Sequence, residues 1–97
     1  MLTLESVLRS INEIDDELII YVPQAGHLSL TSNVELLSLA SVENVDPNLR
    51  YLLEVQLAKD VIETWSEWRN GTVPTVEEMF AAISYYAEWD SYIPVES

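Results

Sequence analysis

Apolar residues recur at helical spacing in several stretches of this chain and bunch into a β-like run in one. Leu4, Val7, Leu8 and Ile11 fall three and four apart, the stripe of an amphipathic helix, and Thr3 stands where an N-cap belongs. Asp15-Asp16 interrupts that stripe. Glu17 to Val22 is rich in β-branched and aromatic side chains and stops at Pro23, which predicts a short strand. Gln24-Ala25-Gly26 reads as a turn and His27 to Leu30 as a returning strand. Such a two-stranded ribbon is marginal in water and needs helices to pack on.

Ser32-Asn33-Val34-Glu35 has the spacing of a capping box and predicts a short helix through Leu36, Leu37, Leu39 and Ala40. Ser41 to Val45 is a loop. Asp46-Pro47 then signals a helix start, Asp as cap and Pro in the first turn. The predicted helix runs to Arg69 and stops at Asn70-Gly71. In its first half Leu49, Tyr51, Leu52, Leu53 and Val55 surround the axis, so this half is expected to be buried on most sides. Its second half is amphipathic: Leu57, Ala58, Val61, Ile62, Trp65 and Trp68 share a core-facing side, and Asp60, Glu63 and Glu67 line the opposite one.

Pro74-Thr75 opens the last helix, with Thr75 and Glu78 spaced as a second capping box. Val76, Met79, Phe80, Ile83, Tyr86 and Ala87 make its stripe, leaving Tyr85 and Trp89 outside it among Glu77, Glu78 and Glu88. The tail from Ser91 is expected to fold back over the core. The resulting expectation is a single domain over 1–97 of mainly α (α+β) class. It would have about four helices, one long and central, and a small two-stranded β-ribbon near residues 17–30. An all-α arrangement is the alternative.

Charge changes this picture most. Seventeen acids face four Lys and Arg, a formal net charge of −13 on 97 residues. The acids are spread along the chain, eight in residues 1–48 and nine in 49–97, so no acidic tail accounts for them. Such a surplus repels itself, disfavours nucleic acid and anionic membranes, and favours a basic protein partner. The absence of cysteine removes disulfides, thiol nucleophiles and thiolate metal sites. No basic leader precedes an apolar run of signal length, and Leu18 to Val22 is far too short to span a membrane. The chain is therefore expected to be soluble and cytoplasmic, and the Asn70-Gly71-Thr72 glycosylation triplet is expected to be silent.

Candidate chemistry is sparse. His27 is the only imidazole, follows Gly26 in a turn, and has no nucleophile or acid at a telling spacing. Asp15-Asp16-Glu17 offers oxygen ligands but matches no metal-loop signature and reads as a solvated turn. Arg50 and Glu54, one helical turn apart, read as a structural pair. No catalytic residue, metal site or cofactor is expected. The bland reading of Asp60, Glu63 and Glu67 is a solvated helix face; the functional one is a dock for Lys and Arg, raised above background because only Lys59 lies beside them. Tyr85 and Trp89, ringed by acids, have the composition of an interface centre unless the tail covers them.

Two stretches carry a resemblance: Leu52 to Val61 leading into Trp65-Ser66-Glu67-Trp68-Arg69-Asn70-Gly71, and Pro74-Thr75 through Tyr85-Tyr86-Ala87-Glu88-Trp89-Asp90. Together they resemble a family of small bacterial domains of unknown function, similar in build to immunity proteins of toxin systems. The resemblance covers roughly the second half, rests on aromatic and turn positions, and implies a binding protein.

The leading expectation is thus a non-enzymatic, immunity-type inhibitor that occludes a basic partner such as a nuclease toxin. Its contact surface would hold Asp60, Glu63, Glu67, Tyr85, Glu88 and Trp89. Alternatives are a nucleic-acid mimic of the anti-CRISPR kind, a small-molecule binder or enzyme with a carboxylate-lined cleft, and an oligomerising module such as a dimer.

Overall fold

The computed structural model describes residues 2–38, 40 and 46–95. Among them the chain runs α1 (Leu4–Arg9), a 3-10 turn (Ile11–Glu13), β1 (Ile19–Pro23), β2 (Glu35–Leu37), β3 (Leu49–Glu54), α2 (Val55–Glu67) and α3 (Val76–Trp89). The three strands form one antiparallel sheet in the order β2-β1-β3. This corrects the expected class: among the described residues the architecture is α+β, with three α-helices and a three-stranded sheet rather than four helices and a ribbon.

The starts of α1 and α3 form as their caps predict. Thr3 Oγ1 accepts from the Ser6 amide at 3.2 Å and Ser6 Oγ accepts from the Thr3 amide at 3.1 Å. At α3, Thr75 Oγ1 accepts from the Glu78 amide at 3.2 Å and Glu78 Oε1 accepts from the Thr75 amide at 2.9 Å. Thr75→Ala removes one of these acceptors and is expected to lower stability by about 1 kcal/mol, read from urea unfolding midpoints. Beyond α2 the chain turns at Asn70 (φ 59°) and Gly71 (φ 81°), and the Gly71 amide reaches back to the Ser66 carbonyl at 2.8 Å. That bond satisfies a carbonyl the helix leaves open.

The predicted helix from Asp46 to Arg69 is two elements. Asp46 and Pro47 start a β-turn: the Leu49 amide donates to the Asp46 carbonyl at 2.9 Å, and the Asn48 amide to Asp46 Oδ1 at 2.8 Å. The first half of the supposed helix is β3, paired with β1 and passing without a loop into α2. A bulge lies in this pairing, since Ile20 faces Leu53 while Tyr21 faces Tyr51. Leu52 is the extra residue, which lets both Leu52 and Leu53 reach the core although strand side chains normally alternate. Arg50 and Glu54 consequently sit on a strand, exposed, without the expected ion pair.

The segment after β1 is also redrawn. The Leu4 and Glu5 amides, free donors at the start of α1, bond the Ser32 and Leu30 carbonyls, each at 2.9 Å. Ser32 Oγ accepts from the Ser29 amide instead of capping a helix. His27 to Leu30 therefore forms no strand, and Glu35 to Leu37 pairs with β1 as β2 where a helix was expected. Leu39 and the Ser41 to Val45 loop lie outside the described residues.

One apolar cluster gathers Leu4 and Leu8 of α1, Ile20 and Val22 of β1, Val55 and Val61 of α2 and Ile83 of α3. Trp65 belongs to it at 7 % exposure, but Trp68, expected beside it, is 49 % exposed. The stripe of α3 also shifts: Ala82 is buried and Ala87 is exposed. No helix among the described residues is long and apolar enough to cross a membrane.

Candidate partner-binding surface

Helical periodicity sets the acidic ridge. With Ala58, Val61 and Trp65 turned into the core, Asp60, Glu63 and Glu67 are carried to the solvent side of α2, and all three are exposed. Lys59, the base beside them, does not neutralise them. Its ammonium is drawn toward the 3-10 turn, donating to the Ile14 carbonyl at 2.7 Å and pairing with Asp16. Arg69 is also engaged elsewhere: its guanidinium lies 4.4 Å above the Trp65 ring and donates to the Trp65 and Pro94 carbonyls at 3.1 and 3.2 Å. Arg9 pairs with Glu5 at 2.8 Å. Among the described residues, the ridge thus keeps its charge unpaired. A broad groove of about 830 Å³ borders it, with Asn12, Lys59, Ser66 and Asn70 among its walls.

The other expected contact residues do not join the ridge as one cluster. Tyr85 and Trp89 meet each other, ring centroids 6.3 Å apart, and Trp89 is 62 % exposed while Tyr85 is half-buried. Glu88 points to another side of α3, into a cleft of about 450 Å³ shared with Leu28, Arg50, Leu52, Phe80 and Ser84. Ser84 Oγ is buried beside this cleft without a hydrogen-bond partner among the described residues.

His27 is exposed in the turn after β1. Asp15 Oδ1 accepts from the Glu17 amide at 2.9 Å, so Asp15-Asp16-Glu17 is a self-bonded turn whose middle acid pairs with Lys59. Among the described residues no three carboxylate or imidazole groups gather to hold a metal ion.

The tail folds back along the helices, but over a different surface from the one around Trp89. Ile93 packs on the core, Arg69 holds the Pro94 carbonyl, and Tyr92 lies between two rings, 5.8 Å from Trp68 and 5.3 Å from Tyr86. This second aromatic group was not legible from spacing. The one sequence signal for it is that Trp65 and Trp68, three apart, cannot both sit at the centre of a stripe defined by Ala58, Val61 and Trp65.

The local field shows in two phenols. Burial, then the Glu54 carboxylate, raises Tyr51 above the ordinary 10.0. Burial, then Asp90, Tyr92 and Asp60, raises Tyr86. A phenol with a raised folded-state pKa adds stability that is complete below the unfolded value and lost as pH climbs through the folded one. In an ultraviolet titration, some tyrosinate absorbance is expected to develop at higher pH in the folded chain than in urea. Tyr51→Phe and Tyr86→Phe should each reduce that late fraction.

No curated protein and no solved structure matches the chain. Residues 1–95 match the domain of unknown function DUF7716, and the chain belongs to that family.

Proposed function

We propose that this chain is a non-enzymatic acidic inhibitor of the immunity type, which covers a basic surface of a protein partner such as a nuclease toxin. The observation that carries this reading is the ridge of Asp60, Glu63 and Glu67: the one base placed to neutralise it is held by Ile14 and Asp16 instead. Uncompensated charge of one sign works against the compact state and accelerates encounter with the opposite sign. The sequence resemblance of Leu52 to Gly71 and Pro74 to Asp90 to small bacterial domains similar to immunity proteins favours the same reading.

The ridge spans seven residue steps of helix from Asp60 to Glu67, about 10 Å at 1.5 Å per residue. That suits local complementarity to a cluster of Lys and Arg better than imitation of a long run of duplex phosphates.

The test is the affinity for the basic product of a neighbouring gene, measured across ionic strength with and without competing DNA. The association rate is expected to fall about tenfold or more from low to high salt. Salt-insensitive association overturns the reading. Displacement by DNA at the partner's own nucleic-acid groove, together with dependence on acids spread well beyond α2, would favour nucleic-acid mimicry.

A further inference from the structure

We infer that the cluster of Trp68, Tyr86 and Tyr92, rimmed by Asp60 and Asp90, is a seat for an arginine side chain of the basic partner. The inference rests on the protein-binding reading above and gives its contact surface a centre.

Three observations converge on this place. The first is exposure: Trp68 is 49 % and Tyr92 36 % accessible, yet their rings are already in edge contact at 5.8 Å. The rings are therefore arranged before any partner arrives, which reduces the ordering cost of binding. The chain immediately after Tyr92 is tied down and holds this arrangement: Ile93 packs on the core and the Pro94 carbonyl accepts from Arg69.

The second is charge. Glu67 precedes Trp68 in the chain and belongs to the α2 ridge. Asp90 sits one turn beyond Tyr86, its amide bonded to the Tyr86 carbonyl at 2.8 Å. Asp60 and Asp90 both act on the Tyr86 phenol. Aromatic faces bordered by carboxylates attract a cation twice, through the ring quadrupole and through the charges.

The third is the chemistry that α2 already displays. Arg69 lies 4.4 Å above Trp65 while its N–H groups bond nearby carbonyls. A planar guanidinium can stack and donate at once, as an ammonium cannot. That difference selects arginine over lysine. Tyr85 and Trp89 form the competing aromatic pair, but no clamp of this kind secures them among the described residues.

The test uses the full chain, isotope-labelled, titrated at low and moderate salt with oligoarginine and oligolysine peptides of equal length. Oligoarginine should bind at least about threefold more tightly. The Trp68 indole and Tyr92 ring signals should move most. Trp68→Ala and, independently, Tyr92→Ala should abolish the arginine preference while leaving the salt-dependent binding of both peptides. Tyr92 lies beyond the helices, so its variant keeps the test open should Trp68→Ala unfold. Equal binding of the two peptides, or shifts centred on Tyr85 and Trp89, would overturn the seat and leave the charge-based reading standing. Failure of both peptides to bind at low salt overturns both.

Discussion

Replacing Ile20 with alanine is expected to lower the unfolding free energy by about 2–5 kcal/mol. Ile20 is fully inaccessible and lies on the central strand, opposite Leu36 on one side and Leu53 on the other. It faces the cluster that joins α1, α2 and α3. Truncation removes apolar contacts and leaves a void that both neighbouring strands, held in register, can only partly close. Small domains hold about 5–15 kcal/mol in total, so this one change removes a large share. Ile20→Val, which keeps the β-branched shape, should cost about 0.5–1.5 kcal/mol. Val73→Ala, at a residue 83 % exposed, should stay within about 0.5 kcal/mol. Urea unfolding of the three variants checks the order. A cost at Ile20 no larger than at Val73 would mean that β1 is not the centre of the core.

The second large effect belongs to the ridge. Reversing Asp60, Glu63 and Glu67 together to lysine changes the formal charge by two at each position, moving the −13 of the chain six units toward neutrality. The association rate with a basic partner is expected to drop by about tenfold to a thousandfold, most strongly at low salt. The free domain should behave in the opposite sense. All three side chains are exposed and none is paired among the described residues, so less self-repulsion should leave the melting temperature unchanged or raised. Weaker binding with undiminished stability cannot arise from unfolding. Stopped-flow association and thermal melts of the same preparation distinguish the two. An unchanged association rate would remove the ridge from the interface.

Where side chains and caps agreed locally, the elements were legible. Thr3 with Leu4, Val7 and Leu8 specifies α1, Thr75 and Glu78 specify the start of α3, and the strand read over Glu17 to Val22 forms over Ile19–Pro23. Two stretches misled for one reason: a cap signal and an apolar run describe a backbone only when its hydrogen bonds stay local. Ser32-Asn33-Val34-Glu35 has the letters of a capping box, but α1 captures its neighbouring carbonyls first. Leu49, Tyr51, Leu52 and Leu53 are spaced so that they suit a helix buried on most sides and a core strand equally. The pairing of this stretch with β1, with Leu52 bulged out, decides for the strand.

The candidate site divides along the same line. Periodicity alone determined that Asp60, Glu63 and Glu67 share the outer side of one helix, because burial of Ala58, Val61 and Trp65 leaves them nowhere else to go. Only the tertiary structure decided that Lys59 turns away from them, that Trp68 lies open, and that Tyr92 returns to meet it. These depend on contacts between residues far apart in the chain, where a side chain's partner is chosen by how helices, turn and tail pack rather than by its neighbours in sequence.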